Sequence, residues 1–404
     1  MPRPSLKKYV LAIVLAAPAF SADPISAQPP VVVHEWGTFT SVAGANGVSL
    51  SWAPLAATSD LPCFVHRLGK GVVKFSPGLI RMETPVVYFY SKSATRLSVH
   101  VDFPEGWITE WYPKATHVFP NNPEPYGTNA KGGAMYNPEN GAIDWTDLAI
   151  LPGVDLALPT TTGASRYFAA RAADSAPLQA GGENEKLLFY RGIANFKVPV
   201  EPVLTTDGVK LHNNSSATIP LAILFENRNG AIGYRIARDL TTNTQLPMPD
   251  LTANIDTLRA DLTRALEQSG LYPKEAAAMV ETWRDSWFEE GMRVFYIMPR
   301  ASVDKVLPLK VSPTPQDIQR AFVGRVEILS PSMEQTIRTA LAAGDIATLR
   351  KFGRFLPAFV AEVRRRWAID NPGALRIAPT VASFLETAER NLADLTNGSA
   401  SCVQ

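Results

Sequence analysis

Residues 31–43 (VVVHEWGTFTSVA) alternate as a strand does, with Val32, His34, Trp36, Thr38 and Thr40 on one face and Val31, Val33, Glu35 and Phe39 on the other. Between 80 and 113 (IRMETPVVYFYSKSATRLSVHVDFPEGWITEWYP) the pattern predicts three consecutive strands joined by short polar turns. In the middle run Leu97, Val99, Val101 and Phe103 point one way, and Ser98, His100 and Asp102 the other. Tyr88, Phe89 and Tyr90 lie in a run rich in strand formers, and Trp107, Trp111 and Tyr112 follow a Pro-Glu-Gly turn. Further strands are expected at 49–55 and 71–76. Residues 121–141, rich in Asn, Pro and Gly, form a long loop that marks a lid or a boundary.

A second β-rich section runs over 142–248. Its strongest strand signals are at 187–200 and 219–236, and Asn227-Arg228-Asn229-Gly230 reads as a hairpin turn within the latter. The pattern leaves open whether this section is a separate domain or completes the first sheet. Beyond Pro249 the period becomes helical. Asp250 is the expected N-cap of a helix carrying Ile255, Leu258, Leu262 and Leu266 and stopped at Gly270. Pro273 opens a second helix with Ala276, Val280, Trp283 and Trp287 on one stripe, ending at Gly291. Strands at 293–299 and 321–329 come next. Ser330-Pro331 then starts a helix closed by Gly344, Asp345 caps one that reaches Trp367 with a kink at Pro357, and a last helix covers 381–395. The expected fold class is α+β, a β-rich, sandwich-like N-terminal part followed by an α-rich C-terminal part. Its segments are 1–27, 28–120, the loop 121–141, 142–248 and 249–404.

Composition adds bounds. A chain of 404 residues can hold two or three domains, and 46% hydrophobic with 19% charged residues excludes wholesale disorder. A formal net charge of +1 gives no overall field for nucleic acid or an anionic membrane. The first 27 residues have the order of a secretory signal: Arg3, Lys7 and Lys8, then an apolar run over 9–20, then small residues. Cleavage is expected after Ala27, because Phe20 suits poorly the third position before a cut at Ala22. The apolar run is too short to span a bilayer, and no later stretch is long and apolar enough. The expectation is an exported, periplasmic or extracellular protein with no integral membrane segment once the signal is removed. In an oxidising compartment Cys63 and Cys402 allow one disulfide, with two unpaired thiols as the alternative.

Candidate chemistry gathers in the first 120 residues, which hold His34, His66, His100 and His117. His34 and His100, with Glu35, Glu83, Asp102 and Glu110 as acidic neighbours, are candidate ligands for a divalent metal such as zinc. No HExxH, His-x-His or facial-triad spacing supports them, and scattered histidines are more often surface or core hydrogen-bonding residues. Cys63-x-x-His66 is half a metal motif without a second half. Glu83 and Glu110 would serve glycoside hydrolysis as acid and nucleophile among Trp36, Trp107 and Trp111. The same rings would bind a glycan by stacking without catalysis, and the plain alternative is that they fill the core. No GxSxG elbow or phosphate loop is present, and Ser302-x-x-Lys305 lacks companion motifs. Trp283, Trp287 and Phe288 read as a core seam. Glu289 and Glu290 then oppose the helix dipole unless Arg293 or Arg300 pairs with them. Lys351, Arg354 and Arg364 to Arg366 flank Phe352, Phe355, Phe359 and Trp367. They read as a docked helix with a solvated basic side, the alternative being a helix lying on a membrane surface.

The segments HEWGTFTS (His34 to Ser41), RMETPVVYFYS (Arg81 to Ser91) and SWFEEGMRVFYIMPR (Ser286 to Arg300) resemble segments of uncharacterised exported bacterial proteins. The resemblance spans most of the chain after residue 27 and implies export, but no activity, cofactor or site residue. Two functions remain. One is a non-catalytic protein binding a glycan or another cell-envelope component through an aromatic sheet face. The other is an envelope hydrolase, metal-dependent in one form.

Overall fold

The computed structural model describes residues 30–52, 61–68, 80–128, 134–161, 165–371, 373 and 375–394. The expected signal segment, the strand expected at 71–76, the end of the one expected at 49–55, and Cys402 with its half of the bridge all lie outside the described residues.

A nine-stranded sheet organises the molecule. From one edge its strands are Ala231–Leu240, Ile219–Arg228, Gly291–Ile297, Asp317–Leu329, Val32–Gly44, Ile80–Tyr90, Leu188–Ala194, Gly106–Tyr112 and His66–Arg67. Neighbours are antiparallel except at the centre, where Val32–Gly44 runs parallel to Asp317–Leu329 along all of its 13 residues. The sections 28–120, 142–248 and 249–404 therefore share one sheet. The hairpin expected at 227–230 is its first turn, with both central residues, Asn229 and Gly230, at positive φ as a type I′ turn requires.

One face of this sheet packs on a second sheet, ordered Glu183–Glu185, Leu178–Ala180, Gly141–Ile150, Thr95–Phe103 and Leu309–Ser312, with His117–Phe119 also paired to Gly141–Ile150. Alternation explains the contact: Val33, Phe39, Met82 and Phe322 from the large sheet meet Val99, Val101, Phe103 and Trp145 from the second. The β part is thus a sandwich, and the whole is α+β as expected.

The other face is covered by helices at both ends. At one end Ile255–Gln268 and Pro273–Trp287 bury Leu262, Trp283 and Trp287 against Trp36, Tyr88, Phe189 and Val323. At the other, Pro331–Ala343 and Leu356–Asp370 bring Ile337, Phe355, Phe359 and Val363 onto Val42, Trp52 and Leu329. Several helix boundaries differ from the pattern. Asn254, not Asp250, caps the first helix, its side chain accepting from Asp256 N at 2.7 Å. The second helix ends at Trp287 rather than at Gly291. Asp345 caps only Ile346–Arg350. Pro357 sits in the first turn of Leu356–Asp370, where its missing N–H breaks no helical bond, so it makes no kink. The basic segment is docked: Phe352, Phe355 and Phe359 are buried, and Arg365 and Arg366 pair with Glu362 and Glu334 at 2.7 and 2.9 Å. Among the described residues no helix is long and apolar enough to cross a membrane.

Candidate functional site

Between the two helical layers the large sheet carries a band of buried charge. In a strand, residues two apart share a face, so Arg81 and Glu83, Arg325 and Glu327, and Thr38 and Thr40 all project towards the helices. Register places them side by side. Thr40 pairs with Arg81 on one neighbouring strand and with Arg325 on the other, and Thr38 pairs with Glu83. Strands lie about 4.8 Å apart, so the Cα atoms of Arg81 and Arg325 are about 10 Å apart with a threonine midway. The row continues outward with Arg191 opposite Glu110 on one side and Arg293 opposite Glu327 on the other.

The ion pairs are close. Arg293 grips Glu327 with Nε and Nη2 at 2.8 and 3.0 Å, and Arg325 Nη2 reaches Glu327 and Glu289 at 2.8 and 2.9 Å. Arg354 Nη2, from the C-terminal helical layer, lies 2.8 Å from Glu83 Oε1 at an angle outside hydrogen-bond geometry. Arg293 also donates to the carbonyls of Trp287, Glu289 and Glu290, satisfying the end of the helix that sequence alone left opposed by acids. The partners expected for those acids change accordingly. Glu289 pairs with Arg325, the Glu290 carboxylate accepts from Asn229 N, and Arg300 pairs with Asp304. Burial pushes the Glu83 carboxyl up, but Arg354 and Arg81 outweigh it and hold the group at about 2. Glu327 is likewise lowered against burial by Arg293 and Arg325. Burial, with Arg191 alongside, lowers Arg81.

Six buried polar atoms in this region, Thr38 Oγ1, Thr40 Oγ1, Glu83 Oε1, Ser286 Oγ, Arg325 Nε and Arg354 Nη2, have no hydrogen-bond partner among the described residues, although Glu83 and Arg354 form an ion pair. Ser286 belongs here because its carbonyl accepts from Arg325 Nη1 at 2.8 Å. A buried polar group left unpaired costs about 1–3 kcal/mol, so several together mark a candidate site rather than ordinary packing.

The residues expected from sequence are only partly brought together. Glu83 and Glu110 do share this face, separated by the strand of Arg191. A general acid must be protonated near neutral pH, and Glu83 is held ionised, which suits the nucleophile of such a pair rather than its acid. The aromatic face is not exposed. Trp36 is fully buried because the Pro273–Trp287 helix covers it. Trp107 is buried with Nε1 donating to Glu139 O at 2.9 Å, and Trp111 is half-buried beside His66. No stacking platform joins the three.

The metal expectation also fails to converge, since His34 and His100 stand in different sheets. His34 is buried, its Nδ1 2.8 Å from Glu275 Oε2, and Glu275 also accepts from Tyr90 Oη and Tyr272 N at 2.6 and 2.7 Å. His100 faces outward as the alternation predicts, but Asp144 and Asp102 take both ring nitrogens at 2.7 and 2.9 Å. Burial works to lower His100, and those two carboxylates outweigh it and raise it. His66 Nε2 is held by Glu183 at 2.9 Å rather than by Cys63. Among the described residues no three His, Cys, Asp or Glu side chains group as a metal set. A further buried network, Glu35 with Tyr190 Oη and Arg320, links three strands of the large sheet.

The comparison with protein-family models finds no match, and that with curated proteins finds none either.

Sequence reasoning missed Arg81, Arg191, Arg325, Arg354, Thr38 and Thr40 as site residues. A signal existed for two of them. Arg-x-Glu occurs within two apolar strand runs, at 81–83 and 325–327, and that spacing puts paired charges on one face of a strand that has no other reason to bear them.

Proposed function

We propose that this chain is an exported binding protein, without chemistry of its own, that holds a cell-envelope component at the charged band. The cluster of unpartnered buried atoms between Arg81 and Arg325 carries this reading. The ion pair that holds Glu83 against Arg354 supports a binding role for the band. The order of charged and apolar residues before Gln28 supports export.

Both parts are testable on the protein purified from the exporting cell. Terminal sequencing should begin near Gln28, and alkylation before and after reduction should reveal Cys63 and Cys402 as a protected pair. An intact Met1 terminus would end the export reading. After incubation with a small-molecule extract of the envelope, native mass spectrometry should show a retained mass that is absent from Arg354→Gln. Retention by neither protein, or equally by both, would remove the band as a binding site.

A further inference from the structure

The unpartnered atoms define a chemical class. Arg325 Nε is a donor only, and the hydroxyls of Thr38, Thr40 and Ser286 donate as readily as they accept. Of the carboxylates nearby, Glu327 is bonded by Arg293 and Arg325 and Glu289 by Arg325, while Glu83 is held in an ion pair with Arg354 that leaves one acceptor, its Oε1, unbonded. What remains to be satisfied is therefore donor-rich, and it stands between two guanidinium groups. A donor-bearing or cationic ligand would face like groups there. An acceptor-only group would not.

A ladder of charges that merely fastened helices to a sheet would leave its central hydroxyls bonded within the protein. Here Thr40, midway between Arg81 and Arg325, is almost completely buried and unpartnered. Arg354 is 14% exposed and Glu289 27%, so the band reaches solvent beside the C-terminal helices. The open pocket of about 390 Å³ beside Ser302 and Lys305 lacks these features. Its Lys197 and Lys305 are exposed, and its Ser215 hydroxyl is already bonded to Ala217 O at 2.8 Å.

We propose that the charged band at Thr40, between Arg81 and Arg325, binds an oxyanion, the carboxylate or phosphate group of a small molecule. This rests on the reading of the band as a ligand site. The Thr40 hydroxyl and Arg325 Nε–H donate to the anion, Thr38 lies on the next inward position of the same strand, and Arg354 closes the site from above. Guanidinium groups suit planar or tetrahedral oxyanions because their donors form a fixed fork.

The test is calorimetry and thermal unfolding with inorganic phosphate, succinate and, as a neutral control, glucose. Wild type should give a saturable rise in Tm with phosphate or succinate and none with glucose. Phosphate alone or succinate alone identifies which oxyanion the site takes. Thr40→Val should weaken that binding about tenfold with unchanged circular dichroism, the size expected for one hydrogen bond to a charged group. Lys305→Gln, in the other pocket, should bind as wild type does. If Thr40→Val does not fold, Arg354→Gln replaces it and should show the same loss. The proposal is overturned if neither anion gives a saturable shift, or if the folded variant binds as tightly as wild type. A protein that ignores both anions yet retains an envelope molecule through Arg354 would disprove the oxyanion and keep the binding reading. If it retains nothing, both fall.

Discussion

Replacing Glu327 by alanine is expected to destabilise the protein by about 3–5 kcal/mol, the cost of breaking a buried ion pair on one side only. Glu327 is the shared acceptor of Arg293 and Arg325, and all three side chains are buried. Removing it leaves two guanidinium groups with one fewer carboxylate inside a packed seam. Arg293 would keep its three bonds to helix-terminal carbonyls, which holds the Pro273–Trp287 helix in place and confines the loss to the triad. Urea unfolding of the two proteins measures the difference. A loss below about 1 kcal/mol would mean that water reaches both arginines, and would contradict the burial on which the site depends.

Acid should remove a comparable amount through Glu83. Its carboxyl is lowered from 4.5 to about 2 in the fold. A depressed carboxylate contributes stability above its unfolded pKa and loses it as pH falls through the folded value, so the window is between those two figures. The shift corresponds to about 3 kcal/mol. Glu327 adds to the same limb, since it is lowered too. Glu83→Gln should be less stable than wild type at about pH 6 and approach it as pH falls to about 2, because wild type loses there what the variant never had. A gap that stays constant over that range would show that the Arg354 and Arg81 charges do not hold Glu83.

How much of this was readable in the chain depends on distance. The period-two runs gave the strands at 32–44 and 80–112 and the correct inward and outward faces of 97–103, because alternation is a local property. The Asn-Gly turn at 229–230 was legible for the same reason. Alternation also put Thr38 and Thr40 together on one face. It did not reveal what that face meets, since the neighbours Arg325 and Arg354 come from the far end of the chain. For the tryptophans the pattern left both a core and a binding-surface reading open on the same ground. Trp36 looks like a binding surface until a helix is laid across it, and Trp107 until Tyr136 and the Glu139 carbonyl close on it, and no local pattern says where such cover will dock. Glu83 was legible as a candidate residue but its ionised state was not, because that is set by two arginines, one of them from the C-terminal helical layer.

The parallel pair at the centre of the sheet also imposes an order of assembly. Glu35 and Arg320 meet across 285 residues, and every rung between Val32–Gly44 and Asp317–Leu329 spans the same gap. On the ribosome the first of these strands emerges long before its partner exists. One of its edges then carries unpaired backbone groups, and Phe39 and Trp36 lack part of their cover. Contacts of this range form slowly, because a long loop must close before they reward it. A nascent or prematurely terminated chain that ends before Asp317 therefore presents a long, apolar, half-paired strand, which is a target for holdase chaperones and a seed for aggregation.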